Sequence, residues 1–189
     1  MTQKKGTRAE GLEVAVRDIV LAIRQTRIPY MLIGALALPV WGRPRATLDA
    51  DFMILAPEVP KRLTARLAKL GFDLDVEWQR LNPFLHGVQS RFRSKTLTLD
   101  ILLRRDDHHE EAFRRRCKKY HRGMYIRFPS AEDLILLKLR AGRHTDFDDV
   151  LGILERAGEG IDLRYLSRWA RRLGIIDELN YVTDRTLGS

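Results

Sequence analysis

Two aspartates one residue apart, Asp49 and Asp51, lie in the stretch Thr47 to Leu55, and a third, Asp100, interrupts the apolar run Leu97 to Leu103. On a strand, alternate side chains share a face. Ala50, Phe52 and Ile54 then face a core, and Asp49 and Asp51 share the opposite face, about 7 Å apart. Like charges so placed repel unless a cation neutralises them, and Mg²⁺ prefers hard carboxylate oxygens. The same alternation puts Leu97, Leu99, Ile101 and Leu103 on one face and turns Asp100 away, where a carboxylate in an apolar run needs a partner. If the two strands are neighbours, three carboxylates converge. The competing reading is a charged, solvated face of an edge strand.

Phosphate chemistry has its own candidates. Gly34 ends the apolar segment Tyr30 to Ile33, and a glycine at a strand-to-helix turn lets backbone approach a phosphate. Arg43 and Arg45 lie in the loop before the carboxylates and could grip phosphate oxygens by forked hydrogen bonds, or be ordinary loop cations. Lys138 falls four residues after Leu134, near the apolar side of a helix. Its ammonium either snorkels to water or reaches a fixed anion in the cleft of Asp49 and Asp51. Arg143, Asp146 and Asp149 read as an ion-pair set at a helix start.

Residues 104–127 carry nine Lys or Arg against four acids, which concentrates over half of the chain's net charge of +9. The densest part is Arg114, Arg115, Arg116, Lys118 and Lys119, with Phe113 and Tyr120 beside it. Such a stripe can track a phosphate backbone while aromatic rings stack on bases; it can also be a solvated helix face. His108 and His109 point apart on any regular element, which argues against a metal site with His121.

The elements that must position these residues follow from periodicity. Leu12, Val16, Ile19, Val20 and Ile23 have helical spacing. Tyr30–Ile33 and Asp49–Leu55 read as strands, with a short helix over Ala35–Leu38 between them and a loop at Gly42–Arg45. Val59–Leu70 is an amphipathic helix closed by Gly71, and Phe72–Val76 is a third strand. Gln89–Arg93 and Leu97–Leu103 form a candidate hairpin, and Tyr125–Phe128 is a last strand. After Pro129 only helices are expected. Ser130 with Asp133, and Thr145 with Asp148, have the capping-box spacing, and a helix over Leu163–Leu173 stops at Gly174. The reading is an α+β fold: a mixed-sheet core over 1–128 and a helical C-terminal region over 129–189 packed on it.

The 189 residues, 44% hydrophobic and 31% charged, exclude wholesale disorder. The longest uncharged stretch, from Ile28 to Gly42, is shorter than the ~20 residues a membrane span needs. Cys117 is alone, which excludes an intrachain disulfide and fits a reducing cytoplasm. The basic excess favours a polyanionic partner.

The order strand, Gly34-Ala35, short helix, Asp49-x-Asp51 and distant Asp100 resembles the nucleotidyltransferase superfamily with the polymerase-beta-like catalytic fold. The segment from Tyr30 to Asp51 looks especially like small bacterial members related to the AbiEii-type abortive-infection toxins, and Glu132 to Asp149 resembles a later segment of the same group. This resemblance implies an enzyme that moves a nucleoside monophosphate from a nucleoside triphosphate to a hydroxyl. It implies Mg²⁺, two ions, held by Asp49, Asp51 and Asp100. Asp49, Asp51, Asp100 and Lys138 would be catalytic, with Gly34, Ala35, Arg43, Arg45 and Thr47 binding nucleotide. The family usually has Gly or Ser where this chain has Ala35, so a hydroxyl contact to phosphate is lost. The charge favours RNA, tRNA in particular, as acceptor, bound through Arg114, Arg115, Arg116, Lys118 and Lys119, and an antitoxin protein is a further expected partner. The alternative is a catalytically degenerate fold that binds nucleotide or RNA.

Overall fold

The alternation in the two acidic segments is realised as neighbouring strands of one sheet. The computed structural model describes residues 8–121 and 123–187. In chain order its elements are α1 (Arg8–Gln25), β1 (Tyr30–Ile33), a 3₁₀ turn (Gly34–Ala37), α2 (Leu38–Trp41), β2 (Asp49–Ile54), α3 (Lys61–Lys69), β3 (Asp73–Leu74), α4 (Val76–Leu81), β4 (Gln89–Arg93) and β5 (Thr98–Leu103). There follow α5 (Asp107–Arg115), β6 (Cys117–His121), β7 (Met124–Phe128), α6 (Ala131–Ala141), α7 (His144–Ala157), α8 (Leu163–Leu173) and α9 (Ile176–Leu187).

The main sheet has the order β1-β2-β5-β4-β3. Only β2 and β5 are parallel, and their register sets Asp51 directly beside Asp100. The expected hairpin forms between β4 and β5 and places Arg91 opposite Asp100. The sheet is buried on both faces, unequally. Phe52, Ile54, Leu99, Ile101 and Phe92 face the larger core with α1 and α3, and helices α6 to α9 contribute Leu134, Val150, Leu166 and Val182 to the same core. On the other face Met31, Ile33 and Met53 pack against Ala112 and Phe113 of α5. The acidic residues share this thinner side, and a sheet face covered only in part is where a cleft can open.

Four expectations shift. The third strand shrinks to Asp73–Leu74, because Asp75 caps a new helix, α4, through its carboxylate and the Trp78 N–H at 2.9 Å. The helix expected from Val59 starts at Lys61, after the extended Pro60. The basic stretch divides: α5 ends at Arg115, and Cys117–His121 pairs antiparallel with β7. Ser130 caps α6 as expected, accepting the Asp133 N–H at 3.1 Å. The second box does not form: α7 begins at His144 with Arg143 as N-cap and no side-chain cap. Gly142 closes α6 at φ 65°, a left-handed turn that suits glycine and folds α7 back along α6. Among the described residues no helix is long and apolar enough to cross a membrane.

Candidate active site

Ile33 pairs with Asp51 across β1 and β2, so the chain leaves β1 at the level of the carboxylates. Gly34 turns there with φ +65°, and a Cβ added to it would fall 2.0 Å from Asp51 Oδ2. Both facts demand glycine: an L side chain is strained at this φ and would occupy the carboxylate's place. Ala35 is buried in the 3₁₀ turn behind it and is not among the residues with positive φ.

Gly34, Asp51, Arg91, Asp100, Lys138 and Arg143 line one cleft of about 420 Å³, floored by leucines of β5 and α6. Asp51 is largely enclosed, with one side open to the cleft. Burial is the main cause that pushes its carboxyl up to about 6, and the neighbouring charges of Asp100 and Asp49 push the same way. Arg143 and Lys138 work against them. Among the described residues neither Asp49 nor Asp51 has an ion-pair partner. Asp49 is exposed and lies outside the cleft lining, and among the described residues Asp49, Asp51 and Asp100 do not bring their oxygens within 4.8 Å of one another, short of the convergence expected from the sequence; what fits a divalent metal is the hard carboxylate chemistry of the donors.

Asp100 is 5% exposed and is not free. Arg91 grips both of its oxygens at 2.8 and 2.7 Å, and the guanidinium lies 4.4 Å from the centroid of the Trp78 ring. Arg91 was not singled out by the sequence; the signal was the β4–β5 register, which sets residues 91 and 100 on one face.

Lys138 is 3% exposed and does point at anions, but at Asp149 Oδ2 (2.6 Å) and Asp146 Oδ1 (3.2 Å), not at Asp49 or Asp51. Arg143 holds Asp146 at 2.7 Å, and Arg45 holds Asp149 at 3.0 Å. Burial would raise the Asp146 carboxyl, but the Arg143 hydrogen bond and the Lys138 charge outweigh it and hold it below the usual range. The ion-pair set read from the sequence is therefore built around Lys138 and brings Arg143 to the cleft wall. Of the other expected nucleotide contacts, Arg43 pairs with Glu155 and Arg45 with Asp149, outside the cleft lining. The Thr47 hydroxyl accepts the Asp49 backbone N–H at 3.0 Å and shapes the start of β2.

The five residues of the basic stripe do not share one face. Arg114 pairs with Glu111. Arg115 turns inward to Glu132 (2.7 Å) and Asp133 (3.2 Å) and stacks 3.8 Å from the centroid of Tyr165, so it is a structural cation. Arg116 donates to the Phe113 carbonyl. Lys118 and Lys119 alternate across β6, Lys118 over Tyr125 and Lys119 over Trp41.

Contrary to the expectation that adjacent histidines diverge, Asp106, His108 and His109 bring ligand atoms within 4.8 Å of one another. Asp106 and His109 are already engaged, while the buried His108 Nδ1 has no hydrogen-bond partner. Asp106 caps α5 and pairs with Arg140, His109 Nδ1 accepts the Arg105 N–H, and His108 Nε2 lies 3.3 Å from Asp133. Burial, with the nearby Arg140 charge, lowers the His109 imidazole to about 4, so it stays neutral. A cation there would have to displace Arg140.

No family model and no curated protein matches the chain. Solved structures do. A solution structure of the antibiotic-resistance factor ANT(2'')-Ia superposes with TM-score 0.61 at 14% identity, over 91% of this chain and 98% of that one. The lincomycin-bound lincosamide antibiotic adenylyltransferase LnuA gives TM-score 0.54 at 15% identity, over 75% and 95%. JHP933 from Helicobacter pylori gives TM-score 0.52 at 21% identity, over 95% and 80%. The chain has the nucleotidyltransferase fold.

Proposed function

We propose that this cleft transfers a nucleoside monophosphate from a nucleoside triphosphate to a hydroxyl acceptor. The observation that carries the reading is the packing of Asp51 against Gly34 and Asp100: two carboxylates side by side, one without a cation partner, at a glycine turn whose missing Cβ makes room for the Asp51 carboxylate in the cleft. Asp49, Asp51 and Asp100 would hold Mg²⁺, two ions being the number this chemistry employs. Held by these carboxylates, Mg²⁺ would supply the positive charge that eases deprotonation of the attacking hydroxyl and offsets the charge of the leaving pyrophosphate. In this reading the acceptor oxygen bonds to the α-phosphorus as the bond to the β-phosphate oxygen breaks, and Asp100, once released by Arg91, would take the hydroxyl proton. The backbone at Gly34, which lines the cleft beside Asp51, would face the phosphates. Arg143 and Lys138 set positive charge on the opposite wall, where positioning and charge do most of the work.

Two solved neighbours are described with antibiotics, lincomycin and adenylyl-2''-tobramycin. This chain's +9 charge favours an anionic acceptor, an RNA hydroxyl and tRNA in particular, over a cationic aminoglycoside. The expectation of an antitoxin partner rests on the sequence resemblance alone. One observation favours the second reading, a degenerate fold that binds nucleotide without transfer: Arg91 occupies both oxygens of Asp100.

Incubation with each α-labelled triphosphate and Mg²⁺, with total RNA or tobramycin as acceptor, separates the readings. Label on RNA, abolished by Asp51→Asn, supports transfer to RNA, and label on tobramycin would move the acceptor class. Triphosphate binding without transfer to any acceptor supports the degenerate reading. Absence of binding removes both.

A further inference from the structure

The hairpin of β6 and β7 shows an outward face that the chemistry of the cleft does not use. The register sets Lys118 opposite Arg127 and Tyr120 opposite Tyr125, and these four side chains share that face. Tyr120 is 67% exposed and Tyr125 53%, with ring centroids 5.4 Å apart in an edge arrangement. Beneath them a concavity of about 370 Å³ is lined by Arg24, Tyr30, Lys118, Tyr125 and Arg127, with no acid among them. Residues 112–130 contain seven Lys or Arg and no Asp or Glu.

Like charges directly opposite on a sheet destabilise it. Lys118 faces Arg127 with no acid between them, and among the described residues neither they nor Arg24 form an ion pair. Arg24 instead donates to the Tyr30 hydroxyl at 3.1 Å and to the Tyr125 carbonyl, which fixes it beside the hairpin. Arg116 adds a fourth cation: burial and the charge of Arg127 lower its proton affinity, and its buried Nε has no hydrogen-bond partner. The Tyr120–Tyr125 ring contact and Lys118 over the Tyr125 ring stabilise the hairpin, but no acid offsets the charge of Lys118 against that of Arg127. An anion lying between Lys118 and Arg127 relieves it.

We propose that this face binds single-stranded nucleic acid, with phosphates between Lys118, Arg127 and Arg24 and bases stacked on Tyr120 and Tyr125. The pairing of uncompensated cations with exposed rings selects the ligand. Phosphate alone needs no ring, and a duplex keeps its base faces covered, whereas an unpaired strand offers both groups at close spacing. The site is separate from the cleft: none of its residues lines the cleft, and Tyr30 lies at the end of β1 away from Gly34. It goes beyond the transfer reading and does not depend on it.

Fluorescence anisotropy of the full chain with a labelled 12-mer of oligo(U) or oligo(dT), from 50 to 300 mM KCl, tests the proposal. Lys118→Ala/Arg127→Ala should weaken binding at least tenfold and reduce the salt slope by about 1.4, two phosphate contacts at ~0.7 each. Tyr120→Ala/Tyr125→Ala should weaken binding about tenfold with the slope unchanged, and Tyr120→Phe/Tyr125→Phe should restore it. Asp51→Asn should bind like wild type, which separates this site from the transfer reaction. If the alanine pair at the tyrosines alters the far-ultraviolet circular dichroism, the phenylalanine pair and the charge pair carry the test. The proposal fails if wild type binds neither oligonucleotide, or if the Lys118/Arg127 pair leaves affinity unchanged. It also fails if the tyrosine pair is neutral and poly-glutamate competes as well as oligo(U), which would mean bare charge. Loss of binding to phosphatidylserine vesicles in these variants with oligonucleotide binding intact would make the face a membrane contact and overturn it too.

Discussion

The metal-free protein should be stabilised by removing one of its own site residues. Asp51 titrates near 3.8 when unfolded and is pushed up to about 6 in the folded chain. The difference, about two pKa units at roughly 1.4 kcal/mol each, sets an upper bound of about 3 kcal/mol on what the Asp51 charge costs the fold. The sign follows from proton binding. Above pH 6 both states carry the charge, and the folded state bears the full penalty. Between 6 and 3.8 the folded state takes up a proton before the unfolded state does, so stability rises as pH falls. Below 3.8 the penalty is gone. Asp51→Asn removes the charge with little change of shape. In EDTA, urea unfolding should show the variant more stable than wild type by about 2–3 kcal/mol at pH 7.5. The gap should shrink steadily below pH 6 and nearly vanish by pH 4. Addition of Mg²⁺ at pH 7.5 should stabilise wild type and leave the variant where it was. A variant less stable than wild type at pH 7.5, or a gap that ignores pH between 7.5 and 4, would refute the account of Asp51 as a charge awaiting a cation.

Three further outcomes follow from the same geometry. Gly34→Ala should cost about 2–4 kcal/mol in thermal unfolding, since it adds left-handed strain of about 1–2 kcal/mol to the contact with Asp51. In the background of Asp51→Ala the cost should fall toward the strain alone. Arg91→Gln releases both oxygens of Asp100 and should raise Mn²⁺ affinity, read by electron paramagnetic resonance; unchanged affinity would show that Arg91 does not compete with a cation. Lys138→Met should destabilise by about 3 kcal/mol, because Asp146 and Asp149 lose the buried ammonium between them. The sequence does not show which carboxylates Lys138 meets, so this cost is legible only from the contacts with Asp146 and Asp149.

What the sequence disclosed and what it hid divide by distance along the chain. The faces of β2 and β5 were readable because alternation is a local property, and Ala50, Phe52 and Ile54 are indeed fully buried. Ser130 was readable as a cap because its partner is three residues away. Arg91 was not, because its role depends on a register fixed only when Gln89–Arg93 turns back at Ser94 and pairs with β5. The run from Arg114 to Lys119 was misread as one stripe because charge density carries no period. A helix end, a linking residue and a strand succeed one another there, and each sends its cations elsewhere. Asp133 was legible as a capping residue, yet nothing local says that it also takes Arg115 and the Tyr165 hydroxyl.

The distribution of charge around the cleft then makes one argument. Arg91 is held by Asp100, Arg143 by Asp146, and Lys138 by Asp146 and Asp149. Every cation lining the cleft is thus committed to a carboxylate, and the charge left over sits on Asp49 and Asp51. A triphosphate alone would meet that residual negative charge and be repelled. If a divalent cation reverses the sign locally, the buried Lys138 and Arg143, which Asp146 holds in place, would act on phosphate with little reorganisation. Metal and nucleotide should therefore bind with positive coupling, and by reciprocity the nucleotide should raise metal affinity by the same factor that the metal raises nucleotide affinity. The size of that coupling depends on Asp51 keeping its charge, so the coupling, like the stability penalty, should fade as pH drops through 6.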